Sequence, residues 1–182
     1  TLEDLILAET SKGRTLILEL KFSNYFFEFG VDTPRLLAEQ LTKLPWLDRN
    51  ISLIIESFDF DSLVRCVQYF KELGLTQQVE FVFLTEDWRL PKDGPEGFAK
   101  YLDTVAENFQ GLSIDKEAVR KLWPTAVAEI QARGLKAFVW TARAEEAETS
   151  IDEYYAHIIE LGADGIFADQ PDLLRSSVDA LA

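Results

Sequence analysis

The 182-residue chain has no methionine, one cysteine and one histidine. The lone cysteine, Cys66, excludes an internal disulfide and a cysteine-rich zinc module. It lies in a helical pattern, where a small buried core residue is expected. Its lack of a partner fits a reducing compartment but is equally compatible with a disulfide-free exported protein, so localisation stays open. The lone histidine, His157, gives no basis for a Ser-His-Asp or Cys-His set. It sits in "YYAHIIELG", off the apolar stripe of Tyr154, Ile158 and Leu161, and reads as a surface residue. Cations are scarce: 18 Lys and Arg stand against 32 Asp and Glu, for a net charge of -14. Such a surface repels phosphate backbones and anionic lipid, which argues against nucleic-acid binding and a membrane-surface role. A small phosphorylated ligand held at a local cation remains compatible with it. No apolar run reaches the roughly 18 residues that a membrane span needs. Neither a GxGxxG stretch nor a P-loop is present, which weakens an open-sheet nucleotide-binding reading. The chain opens on Thr1 rather than Met, and a preceding segment is expected.

What is present is a folded globule's composition, with 47% hydrophobic and 12% aromatic residues. The length suits a single domain over 1–182. Short apolar runs read as strands: 15–21, 51–58, 79–85, 111–114, 136–142 and 165–169. Several are apolar on both faces, as parallel strands covered by helices are. Helical patterns fill the gaps. "TLEDLILAE" opens with a Thr cap, and "DTPRLLAEQLTKL" carries Pro34 in its first turn. "DSLVRCVQYFKELG" takes Asp61 or Ser62 as its cap and Gly74 as its stop. "PEGFAKYLDTVAENF", "DKEAVRKLW", "TAVAEIQARG", "SIDEYYAHIIELG" and "QPDLLRSSVDALA" follow. Strand starts recur about every 25–35 residues, one βα unit each. Two folds accommodate six such units: a doubly wound open sheet, or most of a TIM (β/α)8 barrel, which typically needs about 250 residues.

The stretch "TLILELK" places two full charges in an apolar strand. Side chains alternate faces along a strand, so Ile17, Glu19 and Lys21 share one face and Leu16, Leu18 and Leu20 the other. Glu19 and Lys21 are either a simple ion pair at a strand end or a pair aimed into the carboxyl-terminal mouth of a barrel. Glu56 and Phe58 share a face at the end of the next strand. Acidic groups near strand ends, namely Glu19, Glu56, Glu86 or Asp87, and Asp169, could gather around a hard cation or simply be solvated in loops. Trp140 is either core packing or an aromatic wall for a substrate. Trp46 and Trp88 read as loop packing.

Several stretches, in order, resemble the glycerophosphodiester phosphodiesterase family. They are "TLEDLIL" followed by "LILELK", "SFD" at 57–59, "ARGLKAFVWTAR" at 132–143 and "ELGADGIFADQPDLL" at 160–174, the last being the most specific. The resemblance implies a TIM barrel that hydrolyses glycerophosphodiesters to glycerol 3-phosphate and an alcohol, with a divalent cation, Ca²⁺ or Mg²⁺. It makes Glu19 the metal ligand of the third barrel strand and Lys21 the catalytic lysine facing the phosphate. It matches Trp140 to an aromatic residue at the substrate end and Ser57 and Phe58 to positions near the site, and makes Asp169 and Pro171 mainly structural. Glu56, which shares a face with Phe58, is taken with them as substrate-binding.

The resemblance covers only the later part of the family pattern. The His-Arg-Gly stretch, its neighbouring acidic ligands and the second His have no match in this sequence. The chain therefore reads as six of eight βα units, inactive alone, with its acid–base His pair expected upstream of Thr1. The expected partner is a small-molecule glycerophosphodiester, with no nucleic acid and no membrane span; homo-oligomerisation is left open. Three rivals stand beside this reading: a non-catalytic binding or scaffolding relative, a different phosphate-handling barrel or open α/β enzyme, and a half-barrel that assembles with a second chain. Substrate contacts are expected from the loop "KFSNYFFEFGVDT", whose five aromatics are read first as packing residues.

Overall fold

A computed structural model describes residues 1–121 and 124–181. The ends of two expected helices, at Leu122 and Trp123 and at Ala182, lie outside the described residues. The chain divides into two compact units, Thr1–Leu84 and Thr85–Ala182.

In the first unit, strands β1 (Thr15–Glu19), β2 (Ser52–Ser57) and β3 (Val79–Thr85) pair side by side, all parallel. Helix α1 (Leu2–Leu7) starts at a Thr1–Asp4 capping box, as its sequence predicts. Helices α2 (Ser23–Glu28), α3 (Thr33–Leu41) and α4 (Phe60–Glu72) follow β1 and β2. The interior of β2 is buried on both faces, as expected for a covered parallel strand. Ile55, Leu63, Cys66 and Phe70 form part of the core, with the Phe70 ring meeting Phe81 edge-on at 5.4 Å. Burial pushes the Cys66 thiol up to about 12, so it stays protonated and inert.

Local readings need correction here. The cap of α4 is Asp59, not Asp61 or Ser62, which lie in its first turn. The Ser62 hydroxyl instead donates to Asn24 Oδ1 at 2.6 Å, a contact that sequence spacing does not reveal. Gly74 does end α4, with φ of 69°. The loop after β1 contains α2, and its aromatics are not packed away: Phe22, Tyr25, Phe26, Phe27 and Phe29 are all exposed. Trp46 belongs to the core, where its indole N–H donates to the Leu41 carbonyl.

In the second unit, β4 (Gly111–Asp115), β5 (Lys136–Ala142) and β6 (Gly165–Ala168) are again parallel neighbours. They alternate with α5 (Gly94–Asn108), α6 (Lys116–Lys121), α7 (Ala126–Gln131), α8 (Ile151–Ile159) and α9 (Pro171–Leu181). On α8 it is Tyr155, with Ile158, that fills the core, whereas Tyr154 is only half-buried. His157 is exposed, its Nδ1 against the Glu153 carbonyl of its own helix. Trp88 is exposed rather than packed, with the Arg89 guanidinium 4.6 Å from its ring centre.

The "GADG" turn before β6 has a physical basis. Gly162 takes φ of 73°, and the Asp164 carboxylate accepts from the Ala137 N–H at 2.8 Å and from Gln131 Nε2 at 3.1 Å. A Cβ on Gly165 would lie 2.6 Å from the Phe138 ring. Six parallel strands alternating with helices are the α/β class of the expected TIM-type fold.

Candidate functional site

Strand β1 ends at Glu19, but the ladder carries on for one more residue. The Leu20 N–H donates to the Glu56 carbonyl at 2.8 Å, and the Ser57 hydroxyl donates to the Leu20 carbonyl at 2.8 Å. Ser57 also accepts from the Asp59 N–H at 3.0 Å, and Asp59 accepts from the Asn24 N–H at 3.2 Å. These bonds fix the chain on either side of Lys21 although Lys21 lies beyond the strand. Its ammonium stands 3.1 Å from Glu19 Oε2, with 66% of the Lys21 side chain exposed and 26% of that of Glu19. The pair expected from face alternation is therefore present.

Glu56 is the register partner of Glu19 in the parallel pairing. Only 5% of it is exposed, and among the described residues its Oε2 has no hydrogen-bond partner. Its carboxyl is pushed up to about 7, mainly by burial and also by the Glu19 carboxylate, with Lys21 working the other way. Phe58 lies just past the end of β2 and is half-buried. Two carboxylates and one lysine thus gather at the carboxyl end of β1 and β2.

The remaining acidic candidates do not join a cluster. Glu86 pairs with Arg89 at 3.6 Å, and Asp169 pairs with Arg143 at 3.0 Å. Among the described residues no group of three or more His, Cys, Asp or Glu is arranged to hold a metal ion. Carboxylate oxygens suit a hard cation, and the buried, unpartnered oxygen of Glu56 suits one too, so Glu19 and Glu56 fit part of such a donor set.

In the second unit, Trp140 is half-buried near the end of β5, in register with Asp115 at the end of β4. The Asp115 carboxylate accepts from the Glu117 N–H at 2.6 Å. Beyond these strand ends, Glu146 takes both Lys116 and Arg143, and Arg143 reaches Asp169. The Lys116 hydrogen bond, backed by Arg143, holds the Glu146 carboxyl below its ordinary value. Pro171 is the first residue of α9, and the Gln170 side-chain carbonyl accepts from the Ala144 N–H at 2.9 Å, which gives the "DQP" stretch a structural task. Sequence reading missed Asp115, Lys116 and Glu146. Asp115 ends β4 one residue beyond the expected limit, and a polar residue closing an apolar strand was the available signal.

Parallel βα units with their charged groups at the carboxyl ends of the strands define an α/β protein of the barrel-enzyme type. The model of the glycerophosphoryl diester phosphodiesterase family matches residues 19–173, and the chain belongs to that family. The match begins at Glu19 itself and ends within α9. No curated protein matches the chain.

Proposed function

We propose that the protein hydrolyses glycerophosphodiesters to glycerol 3-phosphate and an alcohol, and that this chain supplies the later six βα units of its barrel. The observation that carries the reading is the Lys21–Glu19 pair at the carboxyl end of β1, inside the span of the family match. Glu19 is the metal ligand and Lys21 the catalytic lysine. A divalent cation, Ca²⁺ or Mg²⁺, supplies Lewis-acid neutralisation of the phosphodiester when bound. The exposed Lys21 ammonium provides a mobile positive charge for the phosphoryl oxygens in a chain whose net charge of -14 otherwise repels them. Its ion pair with Glu19 keeps it near the carboxylate until an anion competes for it. Phe58 and Glu56 are substrate-binding residues of the first unit, and Trp140 is one of the second.

Acid–base groups are needed to activate the nucleophile and protonate the leaving oxygen. His157 is unsuited to either task, being committed to its own helix. The acid–base His pair is assigned to the segment upstream of Thr1. The rival is a relative that binds without catalysis; a His-Arg-Gly stretch upstream of Thr1 would favour the enzyme.

Steady-state kinetics of the complete protein on a glycerophosphodiester separates the two. Glu19→Ala and Lys21→Ala should each lower kcat/KM by about 10²–10³-fold, the usual cost of one electrostatic group in a hydrolytic site. Activity in Glu19→Ala near that of the unsubstituted enzyme would remove the metal-ligand role.

A further inference from the structure

We propose that Glu56 is a second carboxylate ligand, beside Glu19, for the divalent cation at the carboxyl end of β1 and β2. The proposal rests on the reading of Glu19 as a metal ligand and changes how Glu56 serves the substrate: through the cation, not by direct contact. Three observations carry it. Glu19 and Glu56 are register partners on parallel neighbours, so both side chains leave the same face at the same level of adjacent strands. Glu56 is 5% exposed, and among the described residues its Oε2 meets no hydrogen-bond donor. A buried carboxylate oxygen left this way calls for a cation, a proton or an ordered water. Lys21 does not meet that need, because its ammonium stands on Glu19 and is largely in solvent.

The identity of the side chain favours the cation. An ionised carboxylate next to a phosphodiester repels it, so direct contact with the substrate's anionic group would be unfavourable. A hard divalent ion prefers carboxylate oxygens and reverses that sign by bridging protein and phosphate charge. With Glu56 ionised, two carboxylates side by side and one solvent-exposed lysine leave the local charge net negative until such an ion binds.

Calorimetric titration of the complete protein with Ca²⁺ near neutral pH tests this, comparing the unsubstituted protein with Glu56→Gln and Glu19→Gln. Glutamine keeps the volume and one carbonyl oxygen while removing the charge. Each substitution should weaken Ca²⁺ binding by about tenfold or more, since even loss of a supporting partner outside the ligand set costs that much. Unchanged affinity in Glu56→Gln, with affinity lost in Glu19→Gln, overturns the proposal and leaves Glu19 standing. Affinity lost in Glu56→Gln alone removes Glu19 as a ligand instead. No binding by the unsubstituted complete protein at millimolar Ca²⁺ overturns both. Carboxyl ¹³C NMR of the unsubstituted complete protein gives a readout independent of mutant folding. The Glu56 resonance should shift on adding Ca²⁺, and a Glu56 signal that stays in place while Glu19 shifts overturns the proposal.

Discussion

Glu56 has two carboxylate properties in tension, a full charge when ionised and a site that water barely reaches. Burial, and after it the Glu19 carboxylate, raises its carboxyl from an ordinary 4.5 to about 7. Folding of the metal-free chain therefore favours the protonated acid. That contribution is complete below about pH 4.5 and is lost as pH rises through about 7, and it amounts to about 3 kcal/mol at most. The urea midpoint of the chelated, unsubstituted chain should consequently fall between about pH 5 and pH 8 relative to that of Glu56→Gln. Parallel pH profiles for the two proteins would mean that Glu56 does not titrate in this window. Of the residues in this corner, Glu19 and Lys21 were legible from alternation of faces, because both lie on or next to a strand of period two. The burial of Glu56 was not, since it depends on which strand sits beside it.

Elements were more legible than their ends. The strands β3 and β5 begin and end as their apolar patterns predict, and the others differ by a residue or two. The differences have local causes. β1 stops at Glu19 because the chain turns toward α2 through Phe22, which takes φ of 53°. Helix α2 itself was hidden in an aromatic-rich loop with no polar–apolar period and no capping side chain. The family-like "GADGIFAD" stretch, by contrast, was legible as a motif before its physics was known. Gly165 is required there because β5 brings the Phe138 ring against it. Gly165→Ala should lower stability by about 1–3 kcal/mol, the usual cost of overpacking. In a Phe138→Leu background the added cost should shrink, because the two sites share one contact. Thermal unfolding of the four proteins measures this, and equal costs in both backgrounds would count against ring contact as the cause.

The whole molecule is acidic, and the described residues include no helix long and apolar enough to cross a membrane. Fold class and family were both legible in the sequence, because βα periodicity and a specific closing motif survive without any tertiary information. The acid–base half of the chemistry was not legible, because a chain with one His does not encode a His pair. In the proposed reading Glu19 and Lys21 supply the electrostatic half, and the acid–base half comes from residues outside this sequence. The measurement that tests this proposed division is release of glycerol 3-phosphate from a glycerophosphodiester by the chain alone and by the chain joined to an upstream segment that carries a His pair. Activity should be absent from the chain alone, present in the joined protein, and lost from the joined protein on Glu19→Ala. Full hydrolysis by the chain alone, or by the joined Glu19→Ala protein, would contradict it.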